Sequence, residues 1–462
     1  MLSLTQLAAA IRERKLFSVE ATTALLQRIP AWQPKINAFV SIEGESALEL
    51  ARTADAALAR GEVKGPLHGV PLAHKDMFYS AGKVAGCGSK VREGWIAPAT
   101  STAVDRLEAA GSFRFGALHM SEFAYNPTGH NAYLGHACNP WAPECITGGS
   151  SSGSGAAVAA RLTPAALGSD TGGSVRMPAH FCGITGLKTT YGRVSRANAM
   201  PLSFSLDTVG PLARTAEDCG LIMAAIAGPD PLDPTTDGAP VWDAEAASRS
   251  PRSLKIGVPA SFYVDDLEPA IAAALDATLA TLGTLGVEIV KVELPEQSVL
   301  TAAALMVLAV EATTAHAPWL RERPQDYTAQ LRARLENGLA YSAVEYLEAL
   351  RWRGPALAAH LAAIGDIDVI VAPASPQVAP TITATDIGAA NADATIAGIT
   401  RFIRPVNYLG LPSLVVPAGQ ASNGLPVGMQ LIGRPFGDET LVALGTAFQA
   451  VTDHHQRVPT LP

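Results

Sequence analysis

The chain has 462 residues, 48% of them hydrophobic and 16% charged, with 41 glycines and 33 prolines. That hydrophobic share excludes an intrinsically disordered chain, and the sparse charge favours one large compact body over several small domains. A formal net charge of −8 without a basic block excludes a nucleic-acid-binding surface, and the longest apolar run, Leu300 to Val310, ends at Glu311, short of the ~20 residues a membrane span needs.

Ser3 and Gln6 form a capping box ahead of a helix that puts Leu4, Leu7, Ala8 and Ile11 on one face. Arg12, Arg14 and Lys15 follow this apolar part, the reverse of an export signal, so a cytoplasmic protein is expected. Ser18 is expected to cap a second helix, and residues 47–60 to form a third that Gly61 stops. From 65 to 190 short apolar runs alternate with dense glycine and serine, the pattern of strands feeding loops that carry function. Thr215, with Asp218 in the first turn, starts a helix through Ala227 that ends at Gly228. Residues 228–253 read as a surface loop. Residues 254–258, 267–285 and 287–292 read as strand, helix and strand, one βαβ unit. Residues 300–363 are mainly helical. Short buried strands follow at 367–371, 413–416 and 428–432, and a closing helix at 439–450. The alternation predicts an α/β fold: a large mixed sheet covered by helices on both faces. The cysteines Cys87, Cys138, Cys145, Cys182 and Cys219 contain no CxxC pair and read as reduced, buried thiols rather than zinc ligands.

Several short strings suggest chemistry. Ser80-Ala-Gly-Lys83 fits SxxK, but the companion strings of penicillin-binding proteins are missing. Asp170-Thr171-Gly172 occurs once, whereas two carboxylates sharing a proton need two copies or a dimer. Gly149-Ser-Ser151-Ser-Gly153 fits the nucleophile elbow of α/β-hydrolases, with Ser151 as nucleophile of an esterase. The preceding Asn139-Pro-Trp-Ala-Pro143 makes a poor strand for such an elbow, and the reading stays as a rival. More informative is the density of glycine and serine in Gly148–Gly155 and Gly168–Ser174, with an alanine-rich helix between them. Glycines let backbone N–H groups converge, and such a nest beside a helix N-terminus binds anions or the oxyanion of a tetrahedral intermediate. In Gly69-Val-Pro-Leu-Ala-His74-Lys75-Asp76 an apolar strand carries Lys75 inward. Burial lowers a lysine pKa, and a neutral lysine is a competent general base.

These residues resemble the amidase signature family. The similarity runs through Gly69–Asp76, Gly148-Gly-Ser150-Ser, Gly168-Ser-Asp-Thr-Gly-Gly-Ser174-Val-Arg176-Met-Pro178, Cys182–Lys188, Tyr191–Ser195 and Ser205–Thr215, then through 405–412, 416–419 and 425–433. Ser152 and Gly155 depart from its commonest residues. The resemblance implies a single domain over 1–462: N-terminal helices at 1–60, a signature core at 65–215, a variable insert with pocket residues at 228–363, and the C-terminal part of the sheet at 364–462. It also implies a Ser–cis-Ser–Lys triad. Ser174 is its nucleophile, Ser150 the bridging serine after a cis Gly149–Ser150 peptide, and Lys75 the base. Backbone N–H groups among Thr171, Gly172, Gly173 and Ser174 would hold the oxyanion, and Arg176 would pair with Asp170 to keep the loop rigid. Ala124, in the segment Met120-Ser-Glu-Phe123-Ala124-Tyr125, aligns near the acyl pocket.

Pocket residues are expected from 120–147, 195–206 and 300–350, with Phe123, Tyr125, Met200, Phe204, Leu305, Met306, Trp319, Tyr327 and Tyr341 as candidates. Their apolar character favours a free-standing hydrolase of neutral amides and anilides, with carbamates and esters as further substrates. The alternative is the glutaminase subunit of a tRNA-dependent amidotransferase, and a third reading is an inactive binding protein on the same scaffold. The expected partners are a small amide, anilide or carbamate and water, with neither nucleic acid nor membrane, and a homodimer is allowed. No metal and no organic cofactor are implied, because the lysine and two serines supply the proton transfer.

Overall fold

The computed structural model describes residues 1–461. Thirteen strands occur in chain order: β1 Phe39–Ile42, β2 Pro71–Lys75, β3 Phe113–Leu118, β4 Cys138–Asn139, β5 Ala142–Ile146, β6 Ala165–Asp170, β7 Thr185–Lys188, β8 Thr208–Ala213, β9 Lys255–Pro259, β10 Glu288–Val292, β11 Val369–Pro373, β12 Ser413–Gln420 and β13 Pro426–Gly433. Eight of them build one sheet in the order β10-β9-β11-β13-β12-β7-β8-β6. The β10–β9–β11 end is parallel and every later pairing is antiparallel, so the sheet is mixed.

Period-two alternation sorts the side chains of this sheet between two layers of helices. On β12, Leu414 and Val416 pack with Leu441 and Leu444 of the closing helix Asp438–Ala450. Val415, between them, packs on the opposite face with Ala156 of helix Ser152–Ala159 and Ala179 of helix Arg176–Cys182. All eight residues of Ser152–Ala159 are buried. A helix covered all round needs small side chains on every face, which the alanine, glycine and serine supply.

The strand carrying Lys75 is not part of that sheet. β1, β3 and β2 form a separate three-stranded sheet. At the seam with β6, side chains replace a backbone ladder: His74 Nδ1 accepts the Leu167 amide at 3.2 Å, and Thr163 Oγ1 accepts the Ala73 amide at 3.3 Å. Burial holds the His74 pKa down to about 3, so this ring works as a neutral strut.

Most predicted elements occur, with informative shifts. The first helix, Leu4–Arg12, has the Ser3–Gln6 capping box and buries Leu4, Leu7, Ala8 and Ile11. Ser18 does not cap the second helix. It is the first residue of Ser18–Ile36, Phe17 holds the cap position, and the Ser18 hydroxyl donates to Gly69 O at 2.5 Å. The third helix starts at Gly44 instead of 47, and β1 interrupts a stretch expected to be wholly helical. The 139–143 stretch, expected to be a poor strand, forms the β4–β5 hairpin. Helix Gln297–Glu322 runs 26 residues and is long and apolar enough by composition to cross a membrane. It nevertheless buries Leu300, Ala303, Val307 and Leu308 against the core. Its Glu311, 0% exposed, accepts the Ser205 amide at 3.0 Å and the Tyr346 hydroxyl at 2.8 Å. All five cysteines are free thiols, four of them buried as expected, whereas Cys138, in the short β4 strand, is only half-buried.

Helix Ser152–Ala159 lies so close to the smaller sheet that Gly153 donates its amide to His119 O at 2.8 Å. A Cβ at Gly153 would stand 2.3 Å from Ala38 O and 2.4 Å from His119 N, both rigid backbone. Gly153→Ala should therefore lower the unfolding free energy by ~1–3 kcal/mol, read as a lower urea midpoint; an unchanged midpoint would contradict this packing.

Candidate active site

All five residues of β2 are buried, and the strand delivers Lys75 to the interior at its carboxyl end. Lys75 Nζ lies 2.8 Å from Ser150 Oγ and 2.9 Å from Ser169 Oγ. Burial pulls the lysine pKa down to about 7 against the pull of the Asp207 and Asp170 carboxylates. Ser150 follows a cis Gly149–Ser150 peptide. The Gly149 amide donates to Pro127 O at 2.7 Å, and Ser150 O accepts the Ser121 amide at 3.1 Å. Helix Ser152–Ala159 begins two residues on, its N-terminus beside this loop. Ser174 comes from the loop between β6 and helix Arg176–Cys182, and Ser174 O accepts the Ser151 amide at 3.3 Å. Lys75 and Ser150 are 0% exposed, whereas Ser174 is 7% exposed and lines a cavity. The amine and one hydroxyl are thus hidden behind a second hydroxyl that faces open space. The Ser174 side chain makes no hydrogen bond among the described residues.

The Ser174 loop hangs on one carboxylate. Asp170 Oδ1 accepts the Gly173 amide at 2.8 Å and Asn407 Nδ2 at 2.8 Å. Asp170 Oδ2 accepts Arg176 Nε at 3.1 Å and the Val175 amide at 3.2 Å. Arg176 also donates to Ile403 O at 2.9 Å and to Asn407 Oδ1 at 2.6 Å, and both members of the ion pair are fully buried. Burial alone would raise the Asp170 pKa; the Arg176 charge and these hydrogen bonds outweigh it and hold the carboxyl well below the usual range. Gly173 takes φ +110°, a conformation open to glycine. Because its N–H is committed to Asp170, Gly173 leaves the expected oxyanion set. The amides of Thr171, Gly172 and Ser174 remain, and all three residues line the cavity.

That cavity holds about 270 Å³. Ala124 and Tyr125 line it as expected, with Asn126, Leu202, Leu305, Leu308 and Tyr341. Met120 and Phe123, expected there as well, are 0% exposed core residues. Phe123 is boxed in by His316, Trp319 and Tyr327, with ring centroids 4.4, 5.5 and 6.0 Å away. Met200 and Phe204 line a separate cavity with Ser169 and Asp207, and Met306 packs against the core. Ser151, the rival nucleophile, is 0% exposed, with its hydroxyl 3.4 Å from Ser169 O, so it offers no exposed elbow. Lys83 of the SxxK string pairs with Glu43 at 2.8 Å near the surface.

Sequence reasoning missed four residues. Ser169 touches the lysine amine; a polar side chain in the apolar strand before Asp170 was its only signal. Asp207 accepts the Thr171 hydroxyl and the Leu202 and Ser203 amides at 2.9 and 3.0 Å, tying one cavity wall to the Ser174 loop. Arg334 and Arg404 come from distant segments and line the same cavity. Arg334 donates to Tyr125 O at 3.0 Å, and neither guanidinium reaches a carboxylate among the described residues. Burial, with the Arg334 charge close by, lowers the Arg404 pKa to about 10.

Comparison with known proteins identifies the family. The Amidase family model matches residues 20–442. A glutamyl-tRNA(Gln) amidotransferase subunit from Geobacter metallireducens is 38% identical over 480 residues, covering 98% of each chain. A solved structure described as an unexpected vestigial protein complex that reveals the evolutionary origins of an s-triazine catabolic enzyme superposes with a TM-score of 0.90 at 34% identity, over 100% of both chains. The corresponding glutamyl-tRNA(Gln) amidotransferase subunit from Thermotoga maritima gives a TM-score of 0.81 at 29% identity, over 97% of this chain and 98% of its own. With the family model spanning most of its length and its relatives matching end to end, the chain belongs to the amidase signature family and is a C–N bond hydrolase of that family.

Proposed function

We propose that Ser174 is the nucleophile, Ser150 the relay and Lys75 the base of an acyl-transfer reaction on a small amide that carries a carboxylate, glutamine being the first candidate. Neutral Lys75 takes the proton of the Ser150 hydroxyl, which takes the Ser174 proton as Ser174 Oγ bonds to the carbonyl carbon. The amides of Thr171, Gly172 and Ser174 receive the oxyanion without reorganising. When the C–N bond breaks, the proton returns through Ser150 to the leaving nitrogen. Water then adds to the acyl ester by the same relay and releases the acid. The Ser150–Ser174 hydrogen bond is the link that closes when substrate is bound, as catalytic hydrogen bonds often do.

The pair Arg334 and Arg404 carries the substrate assignment. Two like charges facing one cavity with no direct ion-pair partner among the described residues, Asp393 acting on Arg334 only from a distance, favour an anionic substrate, and a guanidinium fork matches a carboxylate. The similarity to amidotransferase subunits supports the same class. On this reading a partner protein consumes the ammonia released. This reading conflicts with the expectation of no nucleic-acid partner, since the relatives are named for an amidotransferase acting on glutamyl-tRNA(Gln). The free-standing hydrolase of neutral amides, anilides or carbamates remains a second reading, favoured by Leu202, Leu305, Leu308 and Ile396 on the cavity wall.

Ammonia release from L-glutamine, compared with turnover of p-nitroacetanilide and of a carbamate by the chain alone, separates the two. On the first reading Arg404→Leu lowers kcat/KM for glutamine roughly 10–100-fold, the worth of a hydrogen bond to a charged group, and leaves p-nitroacetanilide turnover nearly unchanged. Equal losses on both substrates would remove the carboxylate assignment. Ser174→Ala should cut turnover by about four orders of magnitude or more with an unchanged thermal melt; retained activity would refute the nucleophile. Because the amine must be neutral and its pKa lies at about 7, activity should fall about tenfold per pH unit below that value. A rate that stays flat down to pH 5 would exclude Lys75 as base.

A further inference from the structure

Behind Tyr125 and Asn126, which line the substrate cavity, lies a second cavity of about 110 Å³. Glu122, His130, His136, Gln330 and Asp386 lie on its wall. His130, His136 and Asp386 each offer one ligand atom there, all within 4.8 Å of one another. The His130 and His136 rings stack at 4.5 Å with an interplanar angle of 25°.

His130 gives the cluster its chemical meaning. It is 4% exposed, and its Nε2 lies 3.1 Å from Thr385 Oγ1. Its Nδ1 is buried without a hydrogen-bond partner and lies 3.8 Å from Asp386 Oδ1. When the Thr385 hydroxyl spends its proton on Thr381 O or Ile382 O, 3.3 and 3.2 Å away, it accepts Nε2–H, and Nδ1 is left a bare lone pair beside the carboxylate. A buried acceptor facing an acceptor is unfavourable unless a proton or a metal cation sits between them, and the Nε2–H tautomer leaves that place to the metal. A ring whose second N–H is held by a neighbouring oxygen is the arrangement that orients a metal-ligating histidine.

We propose that His130, Asp386 and His136 bind one divalent transition-metal ion of the Zn²⁺, Co²⁺ or Ni²⁺ class, with water completing its coordination. Mixed imidazole and carboxylate donors suit these ions better than Mg²⁺ or Ca²⁺, which take all-oxygen sets. Bonds of ~2.0–2.2 Å require the three donors to close in, and the exposed Asp386, whose Oδ1 accepts the Ile387 amide at 2.8 Å, has Oδ2 to offer. His136 Nδ1 accepts the Asn131 amide at 3.0 Å. This ring joins by giving up that hydrogen bond, so it is the weakest of the three ligands. The ion would tie the segment around Thr385 and Asp386 to the 126–136 loop and stiffen one wall of the substrate cavity. It takes no part in the Lys75–Ser150–Ser174 chemistry.

The test uses the full chain, stripped with a chelator and titrated with CoCl₂ while calorimetry and the visible Co²⁺ spectrum are recorded. One ion per chain with a ligand-field band is expected. Asp386→Asn, at an exposed position that leaves the fold intact, should weaken binding on the order of tenfold or more, and His130→Ala at least as much. His136→Ala should weaken it less. The double variant His454→Ala/His455→Ala, which removes a histidine pair elsewhere in the chain, should leave binding unchanged. Absence of saturable binding, equal binding by the wild-type and Asp386→Asn chains, or loss of binding only in the His454/His455 variant would each overturn the site.

Discussion

The site depends on the buried pair of Asp170 and Arg176. An isolated carboxylate with no exposure would be intolerable, and the guanidinium alone equally so. Together, with Asn407, Gln430 and Ile403 O taking up the remaining donors and acceptors, they form a polar knot at the end of β6. Its energetic worth against an apolar replacement is small, but its geometric effect is large. One carboxylate binds three successive parts of the following loop: the Gly173 amide, the Val175 amide and the Arg176 side chain. The loop is held at both ends with Ser174 between them, so the serine and the amides beside it keep a fixed relation without filling the cavity.

A comparison of two lysines shows what burial alone does and does not provide. Lys75 and Lys188 are both fully buried, and burial lowers each pKa to about 7. Lys188 donates to Thr189 O at 3.0 Å and to Leu411 O at 2.7 Å, so it serves as a strut between strands. Lys75 faces two hydroxyls instead. A depressed pKa is common to both; only the amine that meets a transferable proton can act as a base.

Local patterns were legible where a short window settles the structure. The capping box at Ser3, the apolar face of the first helix and the buried run ending at Lys75 follow from spacing alone, and so does the alternation of strands and helices. The Gly/Ser segments that carry Ser150 and Ser174 were legible as a nest because glycine density has few other uses. What escaped was set by distant partners. Phe123 has the composition of a pocket residue, yet the helix that supplies His316 and Trp319 claims it for the core. Arg334 and Arg404 look like ordinary surface charges until folding turns both into one cavity. The amide of Gly173 could not be known to be engaged before Asp170 was seen to reach it. The small sheet was hidden for the same reason: β1 is four residues long and gains its identity from pairing with β3.

That the two sheets meet through the His74 and Thr163 side chains, instead of through a continuous backbone ladder, has a mechanical consequence. The amine stands on the small sheet and Ser174 on the loop after β6 of the large one, while the Ser150 segment bonds to both, its carbonyl to the Ser121 amide and the next amide to Ser174 O, so proton transfer crosses the boundary through that segment. A shift at that boundary would disturb the relay while leaving each slab intact. Heat or mild denaturant would then silence the enzyme at a temperature or concentration where circular dichroism still reports a native protein.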